Sequence, residues 1–501
     1  MTTAVLLLGH AVLGALACVT LFLRPPWRAR VLTGLCLVGA GLGVVLVVAA
    51  DSLDGWRTLE PGGVGTLVGA AVATAWLTAA VLSAPGGRAL TCGLIGISSS
   101  ALALAVTNDW AIPALLFWLC SSLAIAALAA QERSGLWVWV VLFASDATLV
   151  AALLGNWLDV RSWALPEALD GWPFYVLLAG AALRAGVIPI GGAWGLLGRA
   201  APAIPLLVGG AFCLLPIALG DGDPWVGAAL FVVALGLAGA TLLTRNPWGG
   251  VAGAAAPAIA FMLGSAVVAP GALLPAGLAA IVVAGAAAGW MASQEGAPDR
   301  SALFVALSPT LAFVAAATAS VVAVGRTVRA EEVVDKVPWT LVLVLAPLAL
   351  TGTLAVAVRL ASALDRRPGW FARVRRGERG AMSILVTRFL LSFSVAATLM
   401  PGDWLGIESD ISAWDERRTL LFGTALLLGA AGAWLAVRRA APSAETVRTR
   451  GPAFQASPWL DSPPSTKVAL RLVTGLALLL AVGAVVTVGW FTFEGLRLGF
   501  L

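Results

Sequence analysis

Stretches of about 20 apolar residues, long enough for a helix to cross the hydrocarbon core of a bilayer, recur along almost the whole chain. No other feature limits its fold as much. They cover 3–23, 31–50, 63–82, 89–107, 110–130, 136–154, 173–190, 202–219, 226–243, 251–269, 271–292, 301–324, 339–360, 381–400, 419–437 and 468–490. With 60% of its 501 residues hydrophobic and 11% charged, the chain lies outside the composition of soluble globular proteins. The expected fold is an all-α, polytopic transmembrane bundle of about sixteen spans. The first stretch lacks the basic start of a signal peptide and ends in "RPPWRAR" rather than at a small-residue cleavage site, so it is read as a helix.

Charge sets the expected orientation. With the N-terminus outside, inward loops hold 19 of the 31 Lys and Arg, and outward loops hold 18 of the 26 acids. Both termini then lie outside a cytoplasmic (inner) membrane. The same bias accounts for the net charge of +5 without a nucleic-acid partner. Trp110, Trp157, Trp172, Trp225, Trp248, Trp290, Trp339 and Trp404 stand near span ends, where indole rings anchor at the interface. The five cysteines (Cys18, Cys36, Cys92, Cys120, Cys213) are scattered within spans without a CxxC pair, and are expected to pack as small buried side chains.

Three segments follow from composition. Residues 1–360 read as one transmembrane bundle, 361–380 as a basic cytoplasmic linker and 381–501 as further helices with a polar loop at 438–467. Prolines crowd two places, Pro189, Pro202, Pro205 and Pro216 in one and Pro257, Pro270, Pro275 and Pro309 in the other. An interior proline frees a carbonyl that protein or water must satisfy, so broken helices are expected there. Two such regions about five helices apart suit the inverted repeats of transporters.

Few ionisable residues fall well inside a span. Asp146 ("FASDATLV") lies about ten residues into the sixth and Arg184 ("LRAGVIPIGGAW") about eleven into the seventh, so antiparallel neighbours bring them to similar depth. Either they relay ions, or they form a static pair that pins the two helices together. Arginine keeps its proton up to a pH of about 12, which favours the static pair. Arg359, Arg388 and Arg471 stand near span ends and read as snorkelling anchors. His10, the single histidine, has no acid beside it in its span and reads as a histidine bonded to a neighbour. The sequence holds no histidine cluster, no phosphate-cradling glycine loop with lysine and no nucleophile beside a base, so neither a metal nor a cofactor of its own is expected.

The stretch from the fifth to the eighth span resembles the antiporter-like, proton-translocating membrane subunits of respiratory complex I and of Mrp-type cation antiporters. "LRAGVIPIGGAW" with "APAIPLL" (201–207) places Arg184 at the family's channel lysine and Pro189 at the proline after it, with Pro202 and Pro205 at the start of the next helix. "LLFWLCSSLAI" (115–125) is similar to the family's "FWE" segment, with Leu119 in place of the glutamate, and Asp146 matches an acid common in the sixth helix. "LSPTLAFV" (307–314) is similar to the second broken helix, with Pro309 at its proline. "GRTVRAEEVV" (325–334) places Arg329 at the second lysine, followed by Glu331 and Glu332.

The resemblance implies ion translocation through Asp146, Arg184, Arg329, Glu331 and Glu332. Its implied partners are other membrane subunits and a soluble or peripheral catalytic subunit, within the lipid bilayer. Arginines for lysines and Leu119 for glutamate argue instead for a degenerate channel with a scaffold role. The rival readings are an autonomous secondary transporter or lipid-linked flippase, and a purely structural membrane protein.

Overall fold

The structure is a computed structural model. It describes residues 2–48, 63–81, 85–106, 110–130, 135–160, 169, 171–187, 198–218, 223–243, 250–268, 273–293 and 337–365, with short pieces of 424–432. Its elements are helical: α1 (Thr2–Val19), α2 (Pro25–Val48), α3 (Gly63–Val81), α4 (Pro85–Val106), α5 (Ala111–Ala129), α6 (Gly135–Val160), α7 (Trp172–Arg184), α8 (Ile204–Ala218), α9 (Pro224–Leu243), α10 (Gly250–Val268), α11 (Leu273–Ser293) and α12 (Val337–Asp365). The expected spans at 301–324, 381–400 and 468–490 lie outside the described residues.

Four of these helices contain stretches long and apolar enough to cross a membrane: Trp27–Val48, Ala89–Val106, Ala111–Ala129 and Val138–Leu158. Shorter apolar helices accompany them, and together they mark a membrane protein. Several expected spans match their helices to within two residues, such as 63–82 for α3 and 202–219 for α8. Apolar length alone therefore locates most of these elements.

α3 stands in the interior, packed on α2, α4, α8 and α11. Almost every described side chain along it is buried, as expected for a helix that is apolar on all sides. Trp76 of α3 is fully buried, and its Nε1 donates to Nδ1 of the fully buried His10 on α1 (3.2 Å). The histidine thus has the neighbouring bond expected of it. α1 also crosses α4 at close range, because a Cβ on Gly96 would stand 2.5 Å from the His10 carbonyl oxygen. Only a glycine fits at that crossing.

At the other side, α9 packs on both α10 and α12, and α10 joins this group to α11. Phe231 of α9 and Phe261 of α10 place their ring centroids 5.4 Å apart. Asp223 caps α9, its Oδ1 accepting from the Trp225 and Val226 amides at 2.9 and 3.3 Å. Pro224 follows as the first helical residue, where its missing N–H is not needed. Oδ2 of Asp223 accepts from the Tyr175 hydroxyl (3.1 Å), which ties the start of α9 to the start of α7. Trp110, Trp172 and Trp225 sit at or beside helix starts and are 60%, 53% and 58% exposed, as interfacial anchors should be.

Candidate functional site: a buried ion pair among α5, α6, α7 and α8

Helix α7 presents Arg184 as its last residue, which differs from the span of 173–190 expected from hydropathy. Its end is set by glycine. Gly186 takes φ 73°, a backbone region that other residues rarely enter. The Val187 amide then donates to the Ala182 carbonyl and the Gly186 amide to the Leu183 carbonyl, each at 3.0 Å. These two bonds are those of a Schellman motif and satisfy carbonyls that the helix end would leave free. Arg184 therefore places its positive charge at the negative end of the helix dipole.

The guanidinium is fully buried, and three helices surround it. From α6, Asp146 offers Oδ1 at 3.1 Å to Arg184 Nη1. From α5, Ser122 accepts from the same Nη1 (2.9 Å) and donates its single proton to Asp146 Oδ1 (3.0 Å). Trp118, one turn before Ser122, donates Nε1 to the same Oδ1 at 2.9 Å. Its ring also lies under the guanidinium, with Cζ 4.0 Å from the ring centroid, a cation–π contact. From α8, Gly210 leaves room for the cation, since a Cβ there would stand 3.1 Å from Arg184 Nε and 3.3 Å from the Trp118 ring.

One carboxylate oxygen thus accepts from three donors, and one guanidinium nitrogen serves both a serine and that carboxylate. Taking a lone arginine to the centre of a transmembrane helix costs about 2.5–3.5 kcal/mol on insertion scales, which is why such a residue finds partners. A second polar contact fixes the register of α6 on α7. Ser145, next to Asp146, donates to the Gly180 carbonyl at 2.9 Å, and the Thr148 hydroxyl donates to the Ser145 carbonyl at 2.7 Å.

The structure brings Asp146 and Arg184 together. Pro202 stands in the 3-10 helix (Gly198–Ala203) that leads into α8, and Pro205 is the second residue of α8. Both therefore sit where a helix begins, and their missing N–H groups break no ladder there. Pro189, Pro309, Arg329, Glu331 and Glu332 lie outside the described residues. Leu119 supplies no polar side-chain atom to the cluster.

Trp118, Ser122 and Gly210 carry no ionised group, so they stand out less in the sequence than Asp146 and Arg184. A signal for two of them was present. Trp118 and Ser122 are four residues apart and so share one face of α5, in a helix otherwise apolar apart from the adjoining Ser121. Ser121 turns the other way, its hydroxyl 2.8 Å from that of Ser98 on α4.

No protein-family model and no curated protein matches the sequence. Among solved structures, the fold is similar to that of a chain in the structure of respiratory complex I from Thermus thermophilus with bound aureothin. The TM-score is 0.58 at 16% identity, over 79% of this chain and 98% of that one. The similarity extends almost from end to end of the complex I chain, and at this identity it establishes a shared fold.

Proposed function

We propose that this chain is an antiporter-like membrane subunit of a larger, redox-linked or ion-coupled complex, and that its cluster at Arg184 is a fixed ion pair that holds α5, α6 and α7 in register. The observation that carries the reading is the engagement of Arg184: buried, its Nη1 paired with Asp146 and bonded to Ser122 and its guanidinium stacked on Trp118, while Nε and Nη2 meet no hydrogen-bond partner among the described residues. Arginine holds its proton under all ordinary conditions. A relay through it would need a partner able to take that proton, and Leu119 stands where the related family keeps an acid.

The membership in a complex rests on the fold shared with a complex I chain. Asp146, Arg184, Arg329, Glu331 and Glu332 would then be the inherited positions of a degenerate channel, with the scaffold role retained and the lysine switch lost. Chemistry would then belong to a partner subunit, since the reading makes this chain a membrane subunit.

The experiment is affinity purification of the tagged chain from native membranes in a mild detergent. The expected result is co-purification of other membrane subunits, with a peripheral subunit, in fixed stoichiometry. Recovery of the chain alone would overturn the proposal and favour an autonomous transporter.

A further inference from the structure

The junction between α1 and α2 lies apart from the buried cluster and has a distinct chemistry. α1 ends at Val19, Thr20–Phe22 form a 3-10 helix and α2 starts at Pro25. Arg28 ties the junction together, since Nε donates to the Thr20 carbonyl (3.1 Å) and Nη2 to the carbonyls of Leu21 (2.6 Å) and Leu23 (2.9 Å). These are carbonyls that the end of a helix leaves over. Arg28 is thereby committed to holding the turn.

Arg24 and Arg30, on either side of it, are exposed. Arg30 reaches over the Trp27 ring, with Cζ 5.6 Å from the centroid. Phe22 is 90% exposed and Trp27 60%. No Asp or Glu precedes Asp51 in the chain, so neither α1 nor α2 offers a carboxylate to the two arginines. Along α2, the exposed Val31 and Val38 lie seven residues apart, on one face of the helix. Two exposed guanidinium groups without a carboxylate partner among the described residues thus stand at the head of an apolar wall, beside two exposed aromatic side chains.

We propose that this junction binds one anionic phospholipid, its phosphate held by Arg24 and Arg30 and its acyl chains lying along the Val31–Val38 face. The arginine fork matches the oxygens of a phosphodiester. The Trp27 indole favours the headgroup level of a bilayer. The fixed turn built by Arg28 presents the site in one shape. Free inorganic phosphate would use the arginines and leave the apolar face unused, so the surface fits a lipid.

The test uses the whole chain in phosphatidylcholine nanodiscs doped with a trace of diazirine-bearing phosphatidylglycerol or, separately, diazirine-bearing phosphatidylcholine. Cross-links are mapped by peptide mass spectrometry. The phosphatidylglycerol probe is expected to label residues 19–38 several-fold more strongly than the phosphatidylcholine probe. Arg24→Gln with Arg30→Gln lowers that labelling about ten-fold, and excess inorganic phosphate leaves it unchanged. Equal labelling by both probes overturns the proposal without recourse to any variant. Undiminished labelling of the double variant overturns it too, and competition by inorganic phosphate would mark an ion site in place of a lipid site.

Discussion

The two sides of the bundle treat polar groups in opposite ways. Between α5 and α7, a buried cation, a buried carboxylate, a serine and a tryptophan converge on two atoms, Arg184 Nη1 and Asp146 Oδ1. Between α9 and α10, the contact is made by Phe231 and Phe261. The buried polar side chain of α10, Ser265, turns its hydroxyl back to the Phe261 carbonyl of its own helix at 3.0 Å. The polar bonds at Arg184 and Asp146 link one helix to another, whereas Ser265 serves only its own.

The difference teaches what the charges are for. A path for ions through the bundle would need polar groups to continue from the cluster into the helices beyond, yet among the described residues α8 meets α3 where Gly209 faces Ala71, and α11 meets it where Gly277 faces Leu67. On the proposed reading, a pair confined to α5, α6 and α7 instead supplies orientation, selecting which helix faces meet and at what height. Buried ionic groups kept for such register are a known solution, at some cost in stability.

Substitutions that break this contrast differ in size. The largest effect is expected for Arg184→Ala, which leaves Asp146 buried and unpaired, a loss of about 3–5 kcal/mol. Thermal unfolding in detergent would show a large fall in midpoint, and a midpoint near that of the wild type would contradict the account. Replacing both partners by apolar side chains of similar size, Arg184→Met with Asp146→Leu, should recover most of that loss, since it removes two charges together. Scored in the same assay, a double variant no better than Arg184→Ala would show that Arg184 acts beyond the pair.

Ser122→Ala should cost about 1–3 kcal/mol, because it strips one partner each from a buried cation and a buried anion. The smallest effect belongs to the dry side, where Ser265→Ala removes a bond within one helix and should change stability by about 0.5 kcal/mol or less. Similar costs for Ser122→Ala and Ser265→Ala in parallel denaturant titrations would erase the distinction between the two sides.

Much of the fold was legible in the sequence because apolar length is a direct physical signal. The spans at 63–82, 110–130 and 202–219 correspond to α3, α5 and α8. The depth of Asp146 and Arg184 on successive helices gave their likeness of height, and they lie 3.1 Å apart. The end of α7 was harder to see. Pro189 was the conspicuous breaker, while the helix ends five residues earlier than that proline because Gly186 takes a positive φ. Hydropathy cannot register this, since it carries no information on the backbone angle a residue adopts. Trp118 and Ser122 were hidden for a related reason. Tryptophan counts as an apolar or interfacial residue and serine as nearly neutral, so neither marks a polar site until a charge is placed beside it.

The measurement closest to the central claim is the charge exchange at the pair. Arg184→Asp and Asp146→Arg, singly and together, would be expressed in native membranes, with recovery of the assembled complex and ion movement across those membranes followed side by side. A fixed pair predicts that each single variant loses assembly and that the exchanged pair regains it. Single variants that assemble normally while ion movement stops would contradict the account and identify Arg184 and Asp146 as parts of a relay.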